Sequence, residues 1–178
     1  MSELKIKNVQ KIIIRKATKE DTAEIVEYML AIGGESDNLT FGEGELKMTL
    51  EAEENFIKDI NSKDNAIMIV AIIDNKIIGS AALRAGDKNR IRHVGEFGIT
   101  VRKAYWGQGV GSALLNYLIE WAKDTGIIRK INLRVRDDNK NSIKLYEKYE
   151  FQQEGVITRE FYIKDRFYDA IFMGIKID

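Results

Sequence analysis

The sequence predicts a mixed α/β fold, and three observations carry that reading. Two apolar runs of strand length flank the turn pair Asp74-Asn75. Other stretches repeat their apolar residues every three to four positions, the period of a helix with one buried face. Strand-like and helix-like segments then alternate through the rest of the chain, in the order β-α-α-β-β-β-α-β-α-β-β.

Taken in order, IIIRKA (12–17) reads as a first strand. Thr18 followed by Asp21 resembles a capping box with a shortened acid, and Ile25, Met29 and Ile32 then recur at helical spacing. Gly33-Gly34 is expected to stop that helix. A polar loop leads to a second helix through Leu46, Leu50, Phe56, Ile57 and Ile60. IMIVAII and KIIGSAAL form a hairpin across Asp74-Asn75, and VGEFGITV (94–101) follows as a strand. YWGQGVGSALLNYLIEWAK (105–123) is a glycine-rich loop running into an amphipathic helix. INLRVR (131–136) alternates apolar and basic residues as a half-buried strand does, SIKLYEKY (142–149) reads as a helix, and 151–158 and 167–177 as two closing strands. No linker or repeat divides the chain, so 1–178 reads as one domain, with 1–10 as a flexible N-terminal extension.

Composition narrows the function classes. The 178 residues suffice for a real core, and 44% hydrophobic with 31% charged is ordinary for a globular chain. Lysine plus arginine and aspartate plus glutamate number 28 each, which argues against a nucleic-acid partner, since a phosphate backbone favours a basic excess. There is no Cys, which removes disulfides, thiol catalysis and thiolate metal sites, and a single His93 cannot build a multi-histidine zinc site. No metal is expected. No apolar run reaches the ~20 residues of a membrane span, and MSELKIKNVQ is too polar for a signal peptide, so no membrane partner and a cytoplasmic location are expected.

The loop at 107–112 is the first chemical feature. A strand, a glycine-rich loop and a helix start present orphan N–H groups and a positive dipole end, a device that binds phosphate. A plain β-to-α turn is the other reading. A Walker loop requires Lys-Ser/Thr after the last glycine, and Gly111 is followed by Ser112-Ala113; a dinucleotide fingerprint requires a glycine at 112.

The context of the loop resolves the ligand by resemblance. GITVRKAYWGQGVGSALLNYLIEWAK and, one helix later, INLRVRDDNKNSIKLYEKYEF together resemble the GNAT N-acetyltransferase superfamily. Its loop pattern, Arg/Gln-x-x-Gly-x-Gly/Ala, maps onto Trp106, Gly109 and Gly111. Its downstream pattern maps onto Asn139, Ser142, Leu145, Tyr146, Glu147, Lys148 and Phe151. Two positions depart from it: Trp106 replaces an Arg or Gln, and Glu150 replaces a glycine before Phe151.

The resemblance implies a mostly antiparallel central sheet flanked by helices and acetyl-coenzyme A as co-substrate. It places the pyrophosphate on the amides of Gln108, Gly109, Val110, Gly111 and Ser112. The pantetheine arm would run as an extra strand beside Ile99, Thr100 and Val101, with Asn139 hydrogen-bonding it. Arg102 and Lys103 would add charge near the phosphates. A lysine-like amine has a pKa near 10.4, so a base must take its proton, and Glu96 is the candidate. Gly95 and Gly98 beside it would permit a bulge. Tyr146, aligned with the family's Leu-Tyr, would return a proton to the thiolate, against the alternative of a core aromatic. A backbone N–H near Ile99 or Thr100 would stabilise the oxyanion.

For the acceptor, a small-molecule or peptide amine is expected. The loop GGESDNLTFGEGE carries Glu35, Asp37, Glu43 and Glu45, which suits a cationic amine or a merely solvated surface. TREFYIKDRFYD is open to two readings, pocket aromatics or a homodimer contact. The rival class is a non-catalytic acyl-CoA-binding sensor, which needs the loop and Asn139 but neither Glu96 nor Tyr146.

Overall fold

The computed structural model of the chain describes residues 2–5, as backbone, and residues 11–178. Strands β1 (Ser2–Lys5), β2 (Lys11–Lys16), β3 (Ala66–Ile73), β4 (Lys76–Ala85), β5 (Val94–Val101), β6 (Lys130–Arg136), β7 (Gln152–Ile163) and β8 (Arg166–Lys176) form one sheet in the order β1-β2-β3-β4-β5-β6-β8-β7. Every neighbouring pair is antiparallel except β5 and β6. Helices α1 (Thr22–Glu35) and α2 (Leu50–Asn61) cover one face; α3 (Val110–Thr125) and α4 (Lys140–Lys148) cover the other.

The alternating period of the strands splits the apolar residues into two cores. Ile12, Ile14, Ile67, Ile69, Ile78, Leu83, Phe97, Ile131, Leu133 and Met173 turn toward α3 and α4. Met68, Val70, Ile72 and Ile77 turn toward Ile25, Tyr28 and Ile32 of α1 and Ile57 and Ile60 of α2. β3 is therefore buried at every position, as a strand covered on both faces must be.

The element order matches the sequence reading, with four adjustments. Ser2–Lys5, within the segment expected to be an extension, is a strand paired with β2, where it supplies partners to N–H and C=O groups that would otherwise form a bare edge. Met1 and residues 6–10 lie outside the described residues. α1 runs through Gly33-Gly34 to Glu35. Gly33 is needed there for close approach, since a Cβ would stand 2.7 Å from the Gly42 carbonyl oxygen. α2 starts at Leu50 rather than near Leu46, because Thr49 caps it by accepting from the Ala52 N–H at 3.1 Å. The bulge expected at Gly95 and Gly98 is absent from the β4–β5 ladder, whose register is continuous. Gly95 instead leaves room for Leu83, which a Cβ would meet at 2.7 Å.

The expected capping box is formed. Asp21 accepts from the Thr18 N–H at 2.8 Å and takes Arg15 in a two-pronged ion pair at 2.7 Å. The hairpin turn also forms as expected, with Asp74 and Asn75 at φ of 48° and 61°.

Candidate active site

The site begins where the sheet parts. β5 and β6 are paired through only three positions, Val94–Lys130, Gly95–Ile131 and Glu96–Asn132. Beyond Glu96, β5 keeps its ladder with β4 to Val101 but has no strand on its other side. The backbone of Ile99, Thr100 and Val101 therefore lies along an open edge, the kind that accepts an added strand.

At the foot of that edge stands the glycine loop. Gly107 and Gly109 take left-handed φ of 70° and 89°, and a Cβ built on either meets nothing within 4 Å, so the ground above the loop is clear. Gly109 is the N-cap of α3, and the first helical bond runs from Ala113 N–H to its carbonyl at 3.0 Å. The amides of Val110, Gly111 and Ser112 thus precede the helical ladder and face outward at the positive end of a 16-residue helix. Gln108 is braced by donating to the Ala104 carbonyl at 2.8 Å. Trp106 donates its indole N–H to the Val101 carbonyl at 2.7 Å, tying the loop to the end of β5.

Asn139 caps α4, its side-chain oxygen accepting from the Ser142 N–H at 3.3 Å. That leaves its amide N–H₂ as the part suited to a ligand. Tyr149, which caps the end of α4, donates to the Ser112 carbonyl at 3.0 Å and so clamps α4 against the start of α3.

Glu96 and Tyr146 lie on opposite faces of the parted sheet. Tyr146 is buried, its ring 5.9 Å from Phe97 and 5.9 Å from Phe151 in tilted and edge contacts. Burial among these rings pushes its pKa up to about 12, so it holds its proton at neutral pH. Tyr146 thus belongs to the core, the alternative read for it, and it does so as a protonated phenol. Phe97 points to that core, and Glu96, next along the strand, points to the other face and is half exposed. There Arg134 bridges it to Glu160, at 2.9 Å to each carboxylate. Beside it in register, Asn132 is buried with its side-chain oxygen lacking a hydrogen-bond partner among the described residues.

Of the four acids at the end of α1 and in the loop beyond it, Glu35, Asp37 and Glu45 are engaged and Glu43 is exposed. Burial works to raise the Glu35 pKa, but hydrogen bonds from Arg102 at 2.8 Å and the Lys103 N–H at 2.7 Å outweigh it and hold the carboxyl below its usual range. Asp37 is lowered by its bond to Lys164 at 2.7 Å. Glu45 accepts from the Gly42 N–H at 2.7 Å. Arg102, expected near the phosphates, is thus engaged with Glu35 and stacks over Tyr28 at 5.3 Å. His93 is exposed just ahead of β5, and its carbonyl accepts from the N–H groups of Arg129 and Lys130.

Arg134, the partner of Glu96, is a residue that sequence reasoning passed over. The signal was present: the alternation of INLRVR puts Asn132, Arg134 and Arg136 on one face, and the register puts that face beside Glu96. Among the described residues no group of three or more His, Cys, Asp and Glu is disposed to hold a metal ion, and no helix is long and apolar enough to cross a membrane.

Known proteins resemble the chain in sequence and in fold. The chain is 33% identical over 106 residues to an L-amino acid N-acetyltransferase of Escherichia coli, a match covering 60% of this chain and 65% of that protein. It is 29% identical over 125 residues to a spermidine N(1)-acetyltransferase of Vibrio cholerae, covering 70% and 71%. A crystal structure of a GNAT-family acetyltransferase from Streptococcus pneumoniae superposes with a TM-score of 0.91 at 35% identity, covering 94% of this chain and 99% of that one. Residues 35–151 match the model of the acetyltransferase (GNAT) family. The chain belongs to the GNAT family of acetyltransferases.

Proposed function

We propose that this acetyltransferase moves the acetyl group of acetyl-coenzyme A directly onto a primary amine of a small molecule or peptide. The observation that carries the reading is the parted sheet with the glycine loop at its foot. An open strand edge leading to clear, outward-facing helix amides suits a ligand made of an amide-bearing arm and a pyrophosphate. Gln108, Gly109, Val110, Gly111 and Ser112 would hold the phosphates, Ile99, Thr100 and Val101 the arm, and the Asn139 amide would donate to it. The Val101 carbonyl already serves Trp106, so the arm's hydrogen bonds fall on the remaining groups of that edge.

Bound there, the donor supplies an activated thioester whose carbonyl an amine can attack. Glu96 takes the amine's proton on one face of the opening, and Tyr146 gives a proton to the departing sulfur on the other. A phenol that burial keeps protonated is suited to that donation. Arg134 holds the Glu96 carboxylate in place, and an N–H of Ile99 or Thr100 on the open edge faces the developing oxyanion. No covalent intermediate on the protein is required. The acceptor class follows from the amines named for the two relatives, an amino acid and spermidine. The sensor reading needs neither Glu96 nor Tyr146, and their places on the two faces of one opening disfavour it.

The test has two stages. Acetyl-coenzyme A should raise the melting temperature, by about 2.7 kcal/mol of stabilisation at a hundredfold excess over Kd. Thiol release should then appear with members of an amine panel. Stabilisation without release on any amine would favour the sensor, and no stabilisation would defeat both readings.

A further inference from the structure

We propose that Glu53 is the carboxylate that receives the acceptor's cationic amine, on the face of the sheet that carries Glu96. The inference rests on the acetyl-transfer reading and assigns a binding residue to it.

Glu53, Ile57 and Ile60 recur at i, i+4 and i+7 on α2, which sets them in one stripe. Ile57 and Ile60 are buried against the sheet, so Glu53 faces the sheet too; it is only 6% exposed. No hydrogen bond or ion pair holds its carboxyl among the described residues, and burial acts on it alone, raising its pKa. Its neighbours Glu51 and Glu54 sit in the same stretch of α2 and are exposed. A favourable place in the helix dipole therefore explains an acid in this turn but not a buried one.

The position of α2 brings this carboxyl toward Glu96. Its last residue, Asn61, donates to the Ala17 carbonyl just beyond β2, while Phe56 lies under Arg84 of β4, with the guanidinium 5.3 Å from the ring centre. Arg84 is the register partner of Glu96. Glu53 is three residues, about 4.5 Å of rise, nearer the start of the helix than Phe56, continuing the direction that leads from Ala17 to Arg84 and so toward β5. There the sheet offers room. Gly98, two residues along from Glu96 on the same face, would meet nothing within 4 Å if it carried a Cβ.

The polar groups left over in this region are acceptors. They are the Glu53 carboxyl and the side-chain oxygen of Asn132, whose residue is 9% exposed. The cations nearby are engaged: Arg84 with Asp59, and Arg134 with Glu96 and Glu160. An ammonium brings three donors and a positive charge, which is what a buried lone carboxyl lacks.

The experiment compares Glu53→Gln with Glu51→Gln, using spermidine and an L-amino acid amide as probe amines. Glu53→Gln should raise the KM for a cationic amine tenfold or more, with kcat changed less than threefold and acetyl-coenzyme A affinity unchanged. Its melting temperature should stay level or rise, since a buried carboxyl is replaced by a neutral group, and Glu51→Gln should alter none of these. Calorimetric titration of the probe amine into the coenzyme A complex gives a readout independent of turnover, and should show the same loss of affinity. Equal KM and equal amine binding in Glu53→Gln and the parent overturn the proposal, as does absence of amine binding to the parent. Amine binding that depends on Glu53 in a protein with no transfer to any amine would overturn the catalytic reading and leave the binding residue standing.

Discussion

Glu96 is half exposed and its carboxylate is held by Arg134. Glu96→Gln keeps the shape and removes the proton acceptor; kcat should fall about 10²-fold near neutral pH, with acetyl-coenzyme A affinity nearly intact. Unchanged turnover removes Glu96 from the chemistry. Tyr146→Phe preserves the ring contacts with Phe97 and Phe151 and deletes only the proton donor. Turnover should drop while the melting temperature holds, and a matching fall in both would make Tyr146 a packing residue alone. Glu150 sits at φ 67°, a left-handed position that costs a residue with a Cβ roughly 1–2 kcal/mol. Glu150→Gly should therefore raise stability by about 1 kcal/mol, part of the gain being returned to a more flexible unfolded chain. A chemical denaturation midpoint that fails to rise would contradict the strain.

Elements depend on their terminal contacts, and the start of α1 is the clearest case. The bond from Arg15 holds the Asp21 carboxyl below the usual carboxylate range, against the opposing effect of burial, and the Thr18 N–H adds to it. A depressed pKa in the folded chain means that Asp21 contributes stability above the unfolded value of about 3.9 and loses it as pH falls through the folded value. Asp21→Asn should cost about 1–2 kcal/mol at pH 6, and the gap to the parent should close below pH 4 in urea titrations. This capping box was legible in the sequence because it is local, spanning Thr18 to Asp21. The end of the same helix was not. Gly33-Gly34 carries a strong stop signal, yet contact with Gly42 and the Glu35–Arg102 pair, 67 residues apart, extend the helix past it. Trp106 was an odd residue in the loop pattern for the same reason, because its partner is a strand carbonyl that spacing alone does not reveal.

Across the whole molecule, the order of elements along the chain followed from period and turn chemistry, whereas the strand order within the sheet and the two cores emerge only in the assembled fold. The site followed only in part. The residues proposed on β5, the loop and α4 came through motifs, whereas Arg134 and Glu53 enter the proposed site by register and helix stripe, which depend on the assembled sheet. The parting of β5 from β6 is likewise a property of the assembly. Amide hydrogen exchange should show that acetyl-coenzyme A slows Ile99–Val101 while leaving β3, buried at every position, unchanged. Protection confined to the glycine loop would mean that the arm does not lie along β5.

The β5–β6 ladder is only three residue pairs long, and these are the strands at which the sheet divides into its two halves. On the proposed reading, the ligand's arm completes this joint, and the arm is the same whether or not it bears an acetyl group. The folded lifetime of the chain, measured as resistance to a protease, should then respond to the total concentration of the coenzyme and be indifferent to its acetylation. Supply of the coenzyme would govern how long the protein survives, and the acetylated share would govern only how fast it works.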